Sequence, residues 1–122
     1  MSDEVTALME ANLLAVFGES DPARRAKAIA ETYTDDVVWT DEEGVTVGRD
    51  ALAAKAQTLL DGMQGLVFSK VGHVQKAQNF GHLAWKLGPP GQDPVATGFD
   101  AALVTDGRIS ALYTVITGPE KE

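Results

Sequence analysis

Val37–Gly44, reading VVWTDEEG, has the pattern of a short buried strand that ends in a carboxylate, Asp41, at the mouth of an apolar pocket. Successive strand side chains point to opposite faces, so Val37, Trp39 and Asp41 fall on one side. Two helical patterns lead into this stretch, a third helix follows it, and strand-like segments fill the rest of the chain.

Upstream, Val5, Leu8, Met9, Leu13, Val16 and Phe17 recur at helical spacing. They predict a first helix capped by Ser2 or Asp3 and ended by Gly18. Asp21 and Pro22 open a second helix as N-cap and first helical residue, where the missing N–H of proline costs nothing. Its expected inner stripe is Ala26, Ile29, Ala30 and Tyr33; Arg24, Arg25 and Lys27 form a solvated face or pair with nearby acids. Thr34-Asp35-Asp36 breaks that helix before the strand.

Downstream, Asp41–Gly44 turns the chain into a second short strand, Val45–Val47, making a hairpin. Asp50 is placed to cap a third helix through Met63, with Leu52, Ala56, Leu59, Leu60 and Met63 facing inward. From Leu66 the period changes. Leu66–Gln78, His82–Gly88, Val95–Thr105 and Arg108–Thr117 are rich in β-branched and aromatic residues and read as four strands. Asn79-Phe80-Gly81 and Asp106-Gly107 supply turns that tolerate positive φ. Gly88–Pro94 is a loop expected to edge the pocket mouth. The order α-α-β-β-α-β-β-β-β implies an α+β fold, a curved, mostly antiparallel sheet with helices roofing part of its concave side.

The 122 residues suffice for one domain with a single core, and 44% hydrophobic with 23% charged residues is ordinary for a globular protein. A formal net charge of -8 argues against nucleic acid or an anionic membrane as partner. The absence of cysteine excludes disulfides, thiol catalysis and thiolate metal sites. No basic segment precedes an apolar run at the N-terminus, and no stretch reaches the ~18 apolar residues of a spanning helix. A cytoplasmic protein is the expectation. His73 and His82 lack ligand spacing, so no metal is expected.

The segments FGESDPARRAKAIAETYTDDVVW, VTVGRDAL and GFDAALVTDGRISALY resemble the nuclear transport factor 2-like superfamily, most closely its SnoaL-like polyketide cyclase and ketosteroid isomerase branches. The resemblance covers about Leu8 to Ile116, and the last segment is its most specific part. It implies a cone-shaped, cystatin-like sheet with three helices on its concave side. In the steroid isomerase relatives, an aspartate ending the first strand shuttles a proton, and a protonated aspartate on a late strand donates to the oxyanion. The matching residues here are Asp41 and Asp100. Those relatives also use a tyrosine on the first helix; here Leu13 takes the matching place. In cyclase relatives a late-strand aspartate acts as acid or base, which Asp100 matches without the tyrosine.

Two readings stay open for each acid. Facing the core, Asp100 is desolvated and its pKa raised, which suits proton transfer; facing solvent or bonded to backbone N–H groups, it is structural. Asp41 either borders the pocket or is part of a solvated hairpin tip with Glu42 and Glu43. Trp39 and Trp85 either fill core or shape a planar apolar ligand. Alternation puts Leu83, Trp85 and Leu87 on the concave side, with Leu112, Thr114 and Ile116 on the last strand. Leu13, Phe17 and Ala102 complete the expected ligand contacts, while His82 and Tyr113 point outward. Lys55 reads as the solvated flank of the third helix, and Arg49 and Arg108 as partners of local acids.

The expected activity is cofactor-independent acid/base chemistry, isomerase- or cyclase-like, on a small, largely apolar carbonyl compound. Asp41 would move the proton and neutral Asp100 would donate to the oxyanion. The rival is a non-catalytic ligand-binding or dimerisation module. Val67, Val71, Tyr113 and Val115 fall on the convex face and predict a homodimer through it.

Overall fold

The computed structural model describes residues 3–118. Helix α1 (Glu4–Glu10) runs on as a π-helical segment, Ala11–Phe17, followed by α2 (Pro22–Thr32), β1 (Tyr33–Asp41), β2 (Gly44–Val47) and α3 (Arg49–Asp61). Four longer strands complete the chain, β3 (Val67–Ala77), β4 (Phe80–Gly88), β5 (Ala96–Thr105) and β6 (Arg108–Gly118). They form one six-stranded sheet in the order β2-β1-β6-β5-β4-β3. All neighbours are antiparallel except β1 and β6, which run parallel with Trp39 opposite Leu112. This is the α+β architecture expected, a curved, unclosed sheet carrying helices on one face.

Curvature comes from breaks in register. β3 slips against β4 between Val71 and Gln75, and Gly72 sits there at φ 77. β5 slips against β6 at Thr97/Gly98 and again at Leu103/Val104. Each extra residue bends its strand and tightens the local twist. The concave face then closes on the helices: Met9, Leu13, Val16 and Ile29 pack on Val37, Trp39, Leu83, Leu112 and their neighbours in one buried cluster. At Gly81, an added Cβ would stand 2.7 Å from Val5 and 2.8 Å from Met9, so the missing side chain lets the first helix lie on the sheet.

Asp21 caps α2 as expected, its carboxylate accepting from Arg24 N–H at 2.8 Å with Pro22 beginning the helix. The other caps differ. Ser2 lies outside the described residues, and Asp3 makes no side-chain cap bond. α3 is preceded by Gly48 at φ 92, with Asp50 inside its first turn. The inner face of α2 is Arg25, Ile29 and Thr32, while Ala26 and Ala30 are exposed. Counting from Pro22, positions 25, 29 and 32 share one helical face. Arg25 stays buried because it donates to Glu19 O at 2.7 Å and to Gln57 Oε1. Arg49 pairs with Asp35 as expected, but Arg108 donates to the Ala30 carbonyl instead of an acid. The β3–β4 turn is Gln78-Asn79, with Phe80 and Gly81 already in β4.

The convex face is unroofed. Tyr113 is 50% exposed, Val71 47%, Val67 46% and Val115 42%. Facing rows of β4 and β5, including Ala84 opposite Phe99 and Phe80 opposite Leu103, join them into one apolar surface.

Candidate functional site

Asp100 lies in β5 at an inward position, facing Leu83 of β4 and Thr114 of β6 across the ladder. It is 4% exposed. Three side chains donate to it. Asn12 Nδ2 reaches Oδ2 at 2.7 Å, while Thr114 Oγ1 and Trp85 Nε1 reach Oδ1 at 2.9 and 3.3 Å. Thr114 Oγ1 in turn accepts from the Trp39 indole N–H at 3.1 Å. An indole can only donate, so the threonine keeps its own proton to give to the ionised Asp100. Each carboxylate oxygen accepts about two bonds; Oδ1 is therefore filled, and Oδ2 keeps a free acceptor position.

Asn12 comes from the π-helical segment, which also supplies Leu13, Val16 and Phe17 to the interior. The amide is fully buried. Its oxygen accepts from the Tyr33 hydroxyl, which orients the nitrogen toward Asp100. The surroundings pull Asp100 in two directions. Burial raises its pKa from the ordinary 3.8, the donors from Thr114, Trp85 and Asn12 oppose that, and the result is about 6. Tyr33 is pushed well above its usual range, first by burial and then by the Asp100 charge.

Asp100 forms part of the wall of a cavity of about 120 Å³, an apolar chamber with aromatic sides. Of the expected contacts, Leu13, Phe17, Trp39, Trp85 and Ile116 line it. Leu83, Ala102 and Leu112 do not; each is no more than 1% exposed and packed in the core. Alternation identifies the concave side of a strand, but the helices cover part of that side, and these three lie beneath them. Leu59, Met63, Phe68 and Thr114 are lining residues in their place. None of the residues 88–94 borders the cavity, so that loop does not edge its mouth.

Asp41 reaches the same cavity from the end of β1, with Glu42 and Glu43 beside it. It is not part of a free hairpin tip. Lys55 Nζ stands 2.8 Å from Asp41 Oδ2 and 3.7 Å from Glu43 Oε1, and Glu43 N–H donates to Asp41 Oδ1 at 3.0 Å. The lysine ammonium also lies 4.8 Å from the centre of the Trp39 ring, within cation–π range. With its side chain only 19% exposed, Lys55 is a partner of Asp41 and not a solvated flank.

Comparison with known proteins identifies relatives of this fold. Residues 11–112 match the SnoaL-like domain. The chain belongs to the SnoaL-like family. A candidate isomerase of that family from Agrobacterium tumefaciens superimposes with a TM-score of 0.87 at 23% identity, covering 96% of this chain and 100% of the other. A candidate SnoaL-like polyketide cyclase from Jannaschia sp. gives 0.77 at 12% identity, covering 95% and 89%. A candidate ketosteroid isomerase from Kribbella flavida gives 0.71 at 13%, covering 99% and 83%. At these identities the likeness is one of fold. No curated protein matches the sequence.

Within this SnoaL-like fold, His82 points to the convex side and lies 4.9 Å from the Phe99 ring. Among the described residues, no group of three or more acids and histidines is arranged to hold a metal, and no helix is long and apolar enough to cross a membrane. The polar groups that sequence reading missed are Asn12, Tyr33 and Lys55. Asn12 did leave a signal, as an amide on the apolar stripe between Met9 and Leu13; a polar residue at a core position needs a partner.

Proposed function

We propose that this SnoaL-like protein is a cofactor-independent acid/base catalyst of the isomerase or cyclase type, acting on a small, largely apolar carbonyl compound. The observation that carries the reading is Asp100, a buried carboxylate with a pKa of about 6 and a free acceptor position on Oδ2. A base with a pKa near neutrality is both ionised and basic enough to be effective. Asp100 Oδ2 takes a proton from the carbon next to the carbonyl. The C–H electron pair passes into the carbonyl as an enolate, and the proton returns at another carbon. This moves the base from Asp41, where the steroid isomerase resemblance puts it, to Asp100. Every side-chain bond to Asp100 is a donation, which favours the carboxylate as base. Asp41 is bound to Lys55, and we assign it to the rim.

The test is α-proton exchange of small cyclic ketones and enones in deuterated water, followed by NMR. Wild-type protein should accelerate exchange, and Asp100→Asn should reduce it by about 10²–10⁴-fold. One feature favours the rival reading of a binding module: the N–H and O–H groups of Trp39, Trp85 and Thr114 at the cavity are already committed. Saturable binding without any exchange would make that reading the correct one.

The convex face supports a second part of the proposal, a homodimer joined through Val67, Val71, Tyr113 and Val115. A surface this apolar is usually covered by a partner. The cysteine-free chain is suited to the cytoplasm, where we place it.

A further inference from the structure

We propose that the cavity selects by charge, excluding anionic ligands and preferring organic ammonium ions among charged ones. Its substrates are then uncharged or amine-bearing carbonyl compounds, not keto acids or acyl phosphates. This rests on the reading of Asp100 as the cavity's working carboxylate.

The lining contains four acids, Asp41, Glu42, Glu43 and Asp100, and no lysine, arginine or histidine. Lys55 compensates a single charge from outside the lining, 2.8 Å from Asp41 and 3.7 Å from Glu43, which leaves the acids in excess, buried Asp100 among them. A bound carboxylate would lose its water, gain no cation and face an ionised acid in a medium of low dielectric. An ammonium group meets the opposite situation. Asp100 Oδ2 has a free acceptor position for an N–H donor, and the indole and phenyl faces of Trp39, Trp85 and Phe17 attract a cation through their quadrupoles. The structure already contains an instance of this recognition. The Lys55 ammonium is held between the Trp39 face, at 4.8 Å, and the Asp41 carboxylate. An amine in the cavity would use the same pairing of an aromatic ring with a carboxylate, with Asp100 as its acid. The protein's net charge of -8 acts in the same direction at long range, drawing cations toward the mouth.

The experiment is a titration of three probes of one shape, benzyl alcohol, benzylammonium and benzoate, at neutral pH. Trp39 and Trp85 are the two tryptophans of the chain and both border the cavity, so their fluorescence reports occupancy. Benzylammonium should bind at least about tenfold more tightly than benzoate, a difference of about 1.4 kcal/mol, with benzyl alcohol between them. Asp100→Asn should remove the advantage of the ammonium over the alcohol. Glu42→Gln with Glu43→Gln, both at exposed positions, should narrow the gap to benzoate. Benzoate binding as tightly as the alcohol overturns the proposal, as does failure of all three probes to bind. The outcome is separable from the catalytic reading, because selectivity is measured at equilibrium and proton exchange by rate. Selective binding without exchange removes the enzyme and keeps the charge rule; exchange with benzoate bound equally well does the reverse.

Discussion

Asn12 and Asp100, 88 positions apart in sequence, are joined at 2.7 Å inside the protein, with the amide nitrogen donating to the carboxylate. The amide's orientation is held in turn by Tyr33. Removing Asn12 therefore disturbs two groups. Asn12→Ala leaves the buried Tyr33 hydroxyl without its acceptor and Asp100 with one donor fewer. The expected loss of stability is about 1–3 kcal/mol, the cost of orphaning a buried polar group. Since the lost bond favoured the charged form, the Asp100 midpoint should move above its present value of about 6. Urea denaturation and carboxyl-carbon NMR measure the two effects. An unmoved titration would show that Asn12 does not hold the carboxylate.

Asp100 also gives the stability a pH dependence of definite sign. Its folded pKa lies above the unfolded value, so ionisation penalises the native state. The penalty is absent below about pH 4, grows as pH rises and is complete above about pH 6, reaching roughly 3 kcal/mol. Asp100→Asn cannot ionise, and the difference in stability between wild type and variant should fall across that window. Thermal melts of both proteins at a series of pH values provide the comparison. A constant difference would mean that the carboxylate ionises without cost.

The Asp41–Lys55 pair predicts a coupling. The two side chains are 13% and 19% exposed, so the pair is partly screened and worth less than a fully buried one. Lys55→Met should cost about 1–2 kcal/mol by leaving Asp41 without its cation. Adding Asp41→Asn should restore part of that loss, and a double-mutant cycle isolates the interaction. Strict additivity of the two changes would deny the pair any energetic role.

Assembly is checked on the convex face. Light scattering should give wild-type protein twice the mass of one chain, whereas Tyr113→Glu combined with Val115→Glu should give a monomer with unchanged circular dichroism. Both positions are exposed in the single chain, 50% and 42%, so the substitutions test contact and not folding. A monomeric wild type rejects the dimer.

Much of the fold was legible because its signals are local. β-branched alternation marked the late strands to within a few residues, and Asp106-Gly107 marked their last turn through its two positive φ angles, 52 and 81. The site was legible only in part. Asp41, Asp100, Trp39 and Trp85 all reach the cavity, since strand parity determines the side on which each falls. Lys55 was misread as solvated, and Arg25 as solvated or paired with an acid, because their partners lie in other elements, Asp41 of β1 for the first and the Gln57 amide of α3 for the second. Charge alone does not show whether a long side chain on a helix points to water or to a distant acceptor. Leu83, Ala102 and Leu112 were misplaced for a related reason, since the extent of the helical roof over the sheet is a tertiary property.

The one-way hydrogen bonding around Asp100 has a consequence for isotopes. Trp85 donates to it directly, and Trp39 donates to it through Thr114. Indole N–H groups do not pass protons on under ordinary conditions, and the Tyr33–Asn12 branch ends in an amide. A proton received by Asp100 thus has no relay through the protein to bulk water. Its exits are the bound molecule and whatever water shares the cavity. In deuterated solvent, a turnover at this site should therefore carry part of the original hydrogen to its new carbon, beside the deuterium that cavity water supplies, a memory that a base wired to the surface would erase.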